Sequence, residues 1–314
     1  MSQSLPERFE QKRVFLEKRA EIIAVLRSYF EQQGYVEVQT PVLQVCPTMD
    51  THIHAFETEL YDRELRPVEK LYLHTSPELD MKKLLVVGME RIYQICPAFR
   101  NAEVSRLHSP EFTMLEWYRI DSDYTYLMDE VDQILGLFDY GVCERLSVCD
   151  AFDRYAGIAL EEHLNNRDSL ASVADVRVID TDQWDDIFHA IMAEKIEPNL
   201  KQTILYDYPI SMAALSRPKV NDPRFAERFE LYLDGVEIAN AFSELTDVFE
   251  QRKRFDTDME MKEQLYGVRY PADEKFFEAL DHGLPSCAGI ALGLDRLVMI
   301  LTGAKRIDDV LWKV

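Results

Sequence analysis

Positive charge is what this 314-residue sequence has least of: 35 Lys and Arg stand against 57 Asp and Glu, a formal net charge of −22. That balance opposes broad, nonspecific attraction to nucleic acid, where basic surface supplies the affinity, and leaves room only for a local basic patch. Cysteines are few and widely scattered (Cys46, Cys96, Cys143, Cys149 and Cys287), with no C-x-x-C pair. Neither a zinc ribbon nor a thioredoxin-like redox site is therefore expected, and scattered free thiols suit a reducing cytoplasm. No apolar run is long enough to span a bilayer. The opening MSQSLPERFEQKR has no apolar core, so no secretory signal is expected. Walker and Gly-x-Ser-x-Gly patterns are absent, as are internal repeats, low-complexity tracts and a clear interdomain linker.

Ser4-Leu5-Pro6-Glu7 has the form of a capping box with proline at the first helical position. The helix it opens runs to about Gln33, with Phe15, Ile22, Leu26 and Tyr29 on its apolar face and Gly34 at its end. A short strand, Val36–Val38, precedes Thr40-Pro41. Leu71–His74 reads as a strand, after which Ser76 caps a helix that has Pro77 at its first position. Arg91–Phe99 and Glu111–Ile120 are strands joined by about ten residues, a loop length more often functional than structural. Tyr124–Phe138 is helical, as are stretches near Val148–Tyr155 and Trp184–Ala193. Arg228–Leu233 and Val236–Ala239 form a hairpin turned at Asp234-Gly235. A charged helix follows from about Asp247, then a last strand, Ser286–Leu292, and a helix, Asp295–Thr302. Antiparallel hairpins with interspersed helices indicate an α+β fold, an antiparallel sheet flanked by helices. The expected organisation is a single domain over 1–314 with an insertion at about 143–209.

Three clusters carry candidate chemistry. In the first, FRNAEVSRLHSPEFTMLEWYR, alternation places Phe112, Met114, Glu116 and Tyr118 on one face. Arg100 can fork onto a phosphate, Phe112 offers a ring to a purine, and His108 lies in the loop where it can touch a phosphate. In the second, GVEIANAFSELTD, simple alternation sets Val236, Ile238, Asn240 and Phe242 against Glu237, Ala239, Ala241 and Ser243. Glu230, Glu237 and Glu244 crowd this region, and close carboxylates call for a cation. Mg²⁺ held through one or two carboxylates and substrate phosphates is the usual solution, and a third carboxylate can hold a substrate ammonium. Solvated glutamates in an acidic protein are the plainer alternative. In the third, GIALGLDRLVMIL, Gly289 and Gly293 permit close backbone approach, and Arg296 opens a helix where it can lie against a base or phosphate. His52 and His54 have no partner set that makes a metal site and read as loop residues.

The helix, Gly34, short strand and Pro41 resemble motif 1 of the class II aminoacyl-tRNA synthetases, the first cluster motif 2 and the third cluster motif 3, in the class II order from Gly34 to Arg296. Pro77-Glu78-Leu79, Glu116-x-Tyr118 and Asn240-x-Phe242-x-Glu244 are similar to the lysine-specific branch. The resemblance implies an ATP-dependent ligase that forms an aminoacyl-adenylate, with ATP and Mg²⁺ as cofactors and a homodimer built through motif 1. It gives Glu78 the substrate α-amino group and Tyr118 and Glu244 the side-chain ammonium, with Ser76, Glu116, Asn240, Phe242 and Ala291 completing the amino-acid site. Arg100 and Arg296 become the catalytic arginines, and Glu230 and Glu237 the metal ligands. Asn101, Glu103, His108, Ser109 and Phe112 join Glu237, Ile238, Gly293 and the arginines around ATP.

Lysyl-tRNA synthetases carry an N-terminal anticodon-binding OB-fold, for which the residues before motif 1 leave no room, so no anticodon binding is expected. The Thr75-Ser76-Pro77-Glu78 and Met114–Arg119 strings, and Ala291 where the tRNA enzymes have glycine, are similar to the short paralogues that modify elongation factor P. Those activate (R)-β-lysine and transfer it to the ε-amino group of one lysine of the factor. A truncated paralogue acting on another acceptor and a non-catalytic amino-acid sensor are the alternatives. The Ala291 methyl is expected to narrow the space near the α-carbon and favour a β-amino acid. The class II Arg-x-Glu pattern is replaced by Arg100-Asn101-Ala102, with Glu103 next, and Ser109 stands where asparagine is usual. Either the loop shifts so that Glu103 reaches the adenine, or a backbone group substitutes.

Overall fold

A computed structural model describes residues 5–213 and 215–313. Ser4, the expected cap of the first helix, lies outside them. The chain forms two compact units: one runs to Asp121 and resumes over Thr246–Cys287 and from Ala291, the other comprises Ser122–Leu245 and Ala288–Ile290.

The first unit opens with α1 (Leu5–Gln32). Ile22, Leu26, Tyr29 and Phe30 are its buried face, joined by Leu16 rather than Phe15, and Gly34 ends it at φ +75°, the left-handed region that favours glycine. Then come β1 (Val36–Glu37), β2 (Leu43–Gln44), β3 (Glu57–Tyr61), β4 (Pro67–Leu73), α2 (Glu78–Val86), β5 (Arg91–Phe99) and β6 (Glu111–Ile120). The strands β2, β4 and β3 make a small sheet in that order. The hairpin of β5 and β6 pairs without interruption from Arg91↔Arg119 to Phe99↔Glu111, with the bounds its alternation predicts. Pro77 is the residue before α2 rather than its first residue, yet the Ser76 hydroxyl still accepts the Glu78 N–H at 3.0 Å.

The second unit begins with α3 (Tyr124–Gly136), capped by the Asp123 side chain. It continues through β7 (Glu144–Ser147), α4 (Val148–Ala156), α5 (Arg167–Val173) and α6 (Trp184–Ile191), which runs into a π-helical turn at Met192–Ile196. It ends with β8 (Gln202–Pro209), β9 (Phe225–Leu233) and β10 (Val236–Ser243). Its sheet runs β10-β9-β8-β7, and the β9–β10 turn places Asp234 at φ 50° and Gly235 at φ 75°, the primed geometry that a two-residue hairpin requires. Residues 143–209 all fall inside this unit, whose core gathers Phe152, Leu170, Ile187, Phe188, Ile196 and Leu205. Phe188 stacks on Phe152 at 5.0 Å and on Trp184 at 5.3 Å. Full burial of each such side chain stabilises by roughly 1.5–3 kcal/mol.

The first unit closes with α7 (Val248–Tyr266), α8 (Glu274–Gly283), β11 (Cys287–Gly293), whose residues Ala288–Ile290 belong to the second unit, and α9 (Leu294–Thr302). The α+β class holds. The strands are not all antiparallel, however: β1 pairs parallel with β5, and β7 with β8. Both parallel partners are separated by long connections, which is the condition for parallel pairing. Among the described residues no helix is long and apolar enough to cross a membrane. The five cysteines are free, and burial pushes the thiols of Cys46, Cys96, Cys143 and Cys149 up to about 12, so they are poor nucleophiles.

His52 and His54 are not loosely held. His52 Nδ1 lies 2.9 Å from the Tyr266 hydroxyl, and His54 packs edge-on against the same ring. The anchor of this loop is Lys262, fully buried on α7, which donates to the carbonyls of Thr51 and Ile53 at 2.7 Å each and sits 5.0 Å from the Tyr270 ring. Lys262→Met leaves those carbonyls without their donor and is expected to cost roughly 2–4 kcal/mol. A urea denaturation midpoint equal to the wild type's would show that the loop does not depend on this ammonium.

Candidate active site

The candidate residues divide between the two units. In the first, Arg100 follows β5, its N–H held by the Pro110 carbonyl at 2.9 Å. Its guanidinium lies 5.3 Å from the centre of the Phe112 ring, and its Nε reaches the Thr75 carbonyl at 3.4 Å. The cation and ring expected to hold phosphate and purine are thus together. The loop beyond departs from extended geometry at Ala102, which adopts φ 65° with its N–H capped by Asn101 Oδ1 at 2.9 Å. A non-glycine residue in that region is unusual and strained. Asn101 is fixed in turn by its N–H to the His54 carbonyl at 2.7 Å.

Arg296, in the first turn of α9, reaches back to this loop: its Nη2 lies 2.6 Å from His108 Nε2, and its Nε 3.4 Å from the Leu107 carbonyl. Burial, then the Arg296 charge, lower the His108 pKa, so the ring is neutral, Nε2 accepts from the guanidinium and Nδ1–H faces Ser105 Oγ at 2.8 Å. Glu103 acts on His108 and on His54 in the opposite sense, raising both, which places its carboxylate beside them. Ser109 is buried, donates to the Glu111 carbonyl at 2.6 Å and accepts from Lys313. Gly293 is the residue before α9. A residue that sequence reasoning missed holds this corner. Buried Asp295 accepts the Thr113 N–H at 2.7 Å and pairs with Arg19 of α1, which also donates to Thr113 Oγ1 at 2.7 Å. It ties α9 to β6 one residue from Phe112.

Glu116 is the most unusual group here. It is wholly buried, and its carboxylate oxygens meet only hydroxyls: Ser76 Oγ at 2.6 Å and the Tyr118 phenol at 2.9 Å. Among the described residues no cation pairs with it. Burial, and then the Glu78 carboxylate, push the Glu116 carboxyl up to about 8. Glu78 has its own partner, Lys82, one turn along α2 at 2.6 Å and itself buried. That pair is an i,i+4 contact readable from spacing alone, and sequence reasoning passed over it. Ala291 is half-buried on β11.

In the second unit the strand β10 does not keep simple alternation. Its register against β9 shifts between Glu237 and Ala239, so that Glu237 faces Tyr232, Asn240 faces Glu230 and Phe242 faces Arg228. The β-bulge inverts the expected phase: Glu237, Asn240 and Phe242 share one face, where simple alternation had separated Glu237 from the other two. The bulged residue, Ile238, is buried.

Glu230 Oε1 pairs with Arg228 Nη2 at 2.6 Å, while Oε2 accepts from the hydroxyls of Tyr208 at 2.6 Å and Tyr232 at 2.7 Å. Burial pushes the Glu230 carboxyl upward, but the Arg228 charge and the two phenolic hydrogen bonds outweigh it and hold the group below the usual carboxylate range. Arg228 also donates to Asn240 Oδ1 at 3.2 Å and lies between the rings of Tyr208 and Phe242 at 4.5 and 5.8 Å. Glu244, just past β10, is buried and forms a bridge with Ser216.

Among the described residues no group of three or more His, Cys, Asp or Glu could hold a metal ion, so an all-protein cage is excluded there. Glu230 and Glu237 nevertheless fit a hard cation that arrives on phosphates. Both offer oxygen, Glu237 lies close enough to act electrostatically on Arg228 and both phenols, and the three donors on Glu230 leave one of its roughly four acceptor positions.

The family model for tRNA synthetases class II (D, K and N) matches residues 3–312. A curated protein of Proteus mirabilis named elongation factor P–(R)-β-lysine ligase is 42% identical over 303 residues, covering 94% of this chain and 93% of that one. Proteins of the same name from Vibrio vulnificus and Yersinia enterocolitica are each 40% identical, again covering 94% of this chain and 94% and 93% of theirs.

A buried carboxyl in the state of Glu116 would couple the binding of a cation to release of its proton. With its pKa near 8, Glu116 is mostly protonated at neutral pH, and only its carboxylate form attracts an ammonium. The apparent affinity for an ammonium ligand is expected to rise up to about tenfold per pH unit below 8 and to level off above it. Without ligand the sign reverses: a carboxyl raised by folding makes the native state lose stability as pH climbs from the unfolded value through 8. Calorimetric titration of lysine in buffers of different ionisation enthalpy should detect proton release, and Glu116→Gln should abolish it. Binding without any released proton would refute the linkage.

Proposed function

We propose, because the chain belongs to the class II tRNA synthetase family, that it activates (R)-β-lysine or lysine with ATP as an aminoacyl-adenylate. It then transfers the aminoacyl group to the ε-amino group of one lysine of elongation factor P. The observation that carries the choice of a lysine-type substrate is Glu116, wholly buried without a cation of its own and hydrogen-bonded to Ser76 and Tyr118. A buried carboxylate costs several kcal/mol unless a cation reaches it. A substrate ammonium supplies that cation. The acceptor is suggested by the relatives' shared name.

Chemically the reaction needs positioning and charge stabilisation rather than a protein nucleophile. The substrate carboxylate attacks the α-phosphorus of ATP, the bond to the β-phosphate oxygen breaks, and pyrophosphate leaves. The acceptor amine then attacks the carbonyl of the adenylate, loses a proton, and AMP departs. Arg100 and Arg296 are assigned to the charge that grows on the α-phosphate, Phe112 to the purine, and Glu103 to the adenine edge. Glu78 is assigned to the substrate α-amino group, and Glu116, Tyr118 and Glu244 to the far ammonium, with Asn240 and Phe242 beside it. Mg²⁺, when held by Glu230 and Glu237, would neutralise charge on the leaving pyrophosphate. A homodimer formed through the segment after Gly34 belongs to the same proposal, as does a cytoplasmic location.

Incubation with ATP, (R)-β-lysine and purified elongation factor P should give a mass shift on a single lysine of the factor. Pyrophosphate exchange without that shift would point to another acceptor, and absence of both to a non-catalytic role. Arg100→Ala and Arg296→Ala should each lower exchange by about 10²–10³-fold. Ala291→Gly should move the preference from β-lysine toward α-lysine, by the roughly 1–3 kcal/mol that a methyl-sized change can discriminate. An unchanged ratio would rule out this methyl as the selector.

A further inference from the structure

Two phenols meet at one carboxylate oxygen inside the second unit, and no role assigned so far uses them. Tyr208 comes from β8, Tyr232 from β9, and both are almost entirely buried. Each hydroxyl has a single proton. Tyr208 directs its proton at Glu230 Oε2 over 2.6 Å, and Tyr232 directs its own at the same atom over 2.7 Å. Among the described residues the other acceptor near the Tyr232 hydroxyl is the Glu197 carboxylate, at 3.5 Å, too distant to compete for that proton. Oε2 thus has both of its lone pairs filled. Oε1 has one filled by Arg228 Nη2 and one open. Arg228 itself is held by Asn240 Oδ1 and the Met212 carbonyl.

Resting on the function proposed above, we propose that Tyr208 and Tyr232 are the positioning residues of Glu230. They hold its carboxylate in one orientation, occupy Oε2, and leave Oε1 as the oxygen of Glu230 open to a phosphate-borne divalent cation. The bulge of β8 between Tyr206 and Tyr208, where Asp207 takes φ 63°, is the backbone device that turns Tyr208 toward this face. Phenylalanine at either tyrosine keeps the ring that packs on its neighbours and removes only the donor.

The test uses the full chain with Tyr208→Phe, Tyr232→Phe and the double variant. Mn²⁺ binding in the presence of ATP, read by electron paramagnetic resonance, needs no turnover. Pyrophosphate exchange supplies the Mg²⁺ requirement. The double variant should bind Mn²⁺ about tenfold or more weakly. The amino-acid KM should stay unchanged. Neither phenylalanine should alter Mn²⁺ binding further in a Glu230→Gln background. Single variants with a wild-type urea midpoint but wild-type Mn²⁺ affinity would overturn the proposal, and so would a double variant that shifts Mn²⁺ binding equally in both backgrounds. A wild type without exchange whose Mn²⁺ binding still depends on the phenols would sink the ligase reading and uphold the positioning role. Normal exchange with phenol-independent Mn²⁺ binding would do the reverse.

Discussion

Burying a carboxylate is the constraint on which the rest of this molecule turns. An ion taken from water into a protein interior costs several kcal/mol unless its surroundings restore what the water gave. The chain meets that cost in different ways. Asp295 is compensated by Arg19 and a backbone amide. Glu78 is compensated by Lys82 within one helix. Glu230 needs an arginine and two phenols. Glu116 receives only hydroxyls and is compensated by holding a proton. The first is a closed ion pair, and the second engages Glu78 through Oε1. The last two leave something open, a lone pair in one case and a titratable charge in the other, and openness of that kind is what a ligand can use.

The two open carboxylates are pushed in opposite directions. Burial acts on both, yet Glu230 ends below the usual range and Glu116 well above it. The difference comes from their neighbours: Arg228 beside the former, the anionic Glu78 beside the latter. Environments that drive two like groups apart allow each a separate task at one pH. A permanently ionised carboxylate suits a divalent cation that arrives with phosphates. One that ionises only when a cation enters distinguishes an ammonium from a neutral side chain, because the neutral ligand gives the proton no reason to leave.

Local signals carried the fold well and the site unevenly. The strands β5 and β6, the Asp234-Gly235 turn and the start of α7 near Asp247 were readable because alternation, a turn dipeptide and a charged helical stretch each act within a few residues. Arg100 and Phe112 were candidates one by one, and the fold brings them together. The phase of β10 did not, since a bulge is decided by pairing with β9 and leaves no mark in the composition of the strand. Lys82 was within reach of an i,i+4 count, and its partner Glu78 had already been singled out. Tyr208, Tyr232, Arg228, Lys262 and Asp295 were out of reach in another sense. Tyr232 and Arg228 lie two residues from Glu230, Tyr208 twenty-two and Lys262 over two hundred from its partner carbonyls, but only folded strands and helices show which polar atoms converge. The parallel pairs of β1 with β5 and β7 with β8 were hidden for the same reason, as long connections blur which strands become neighbours.

The scarcity of positive charge acquires a function in this light. A chain at −22 repels polyanions over most of its surface. Its arginines at the candidate site are not free surface charges: Arg100 lies over an aromatic ring, Arg296 is held by a neutral histidine and a carbonyl, and Arg228 sits between two rings. Arg100 meets an aromatic ring and a carbonyl, partners that carry no formal charge. Screening confines attraction between exposed charges to roughly 8–10 Å in physiological salt, so a nucleotide feels those cations only once it is close. An acidic surface with sparse, rigidly presented arginines favours a small anion at a few points over an extended one.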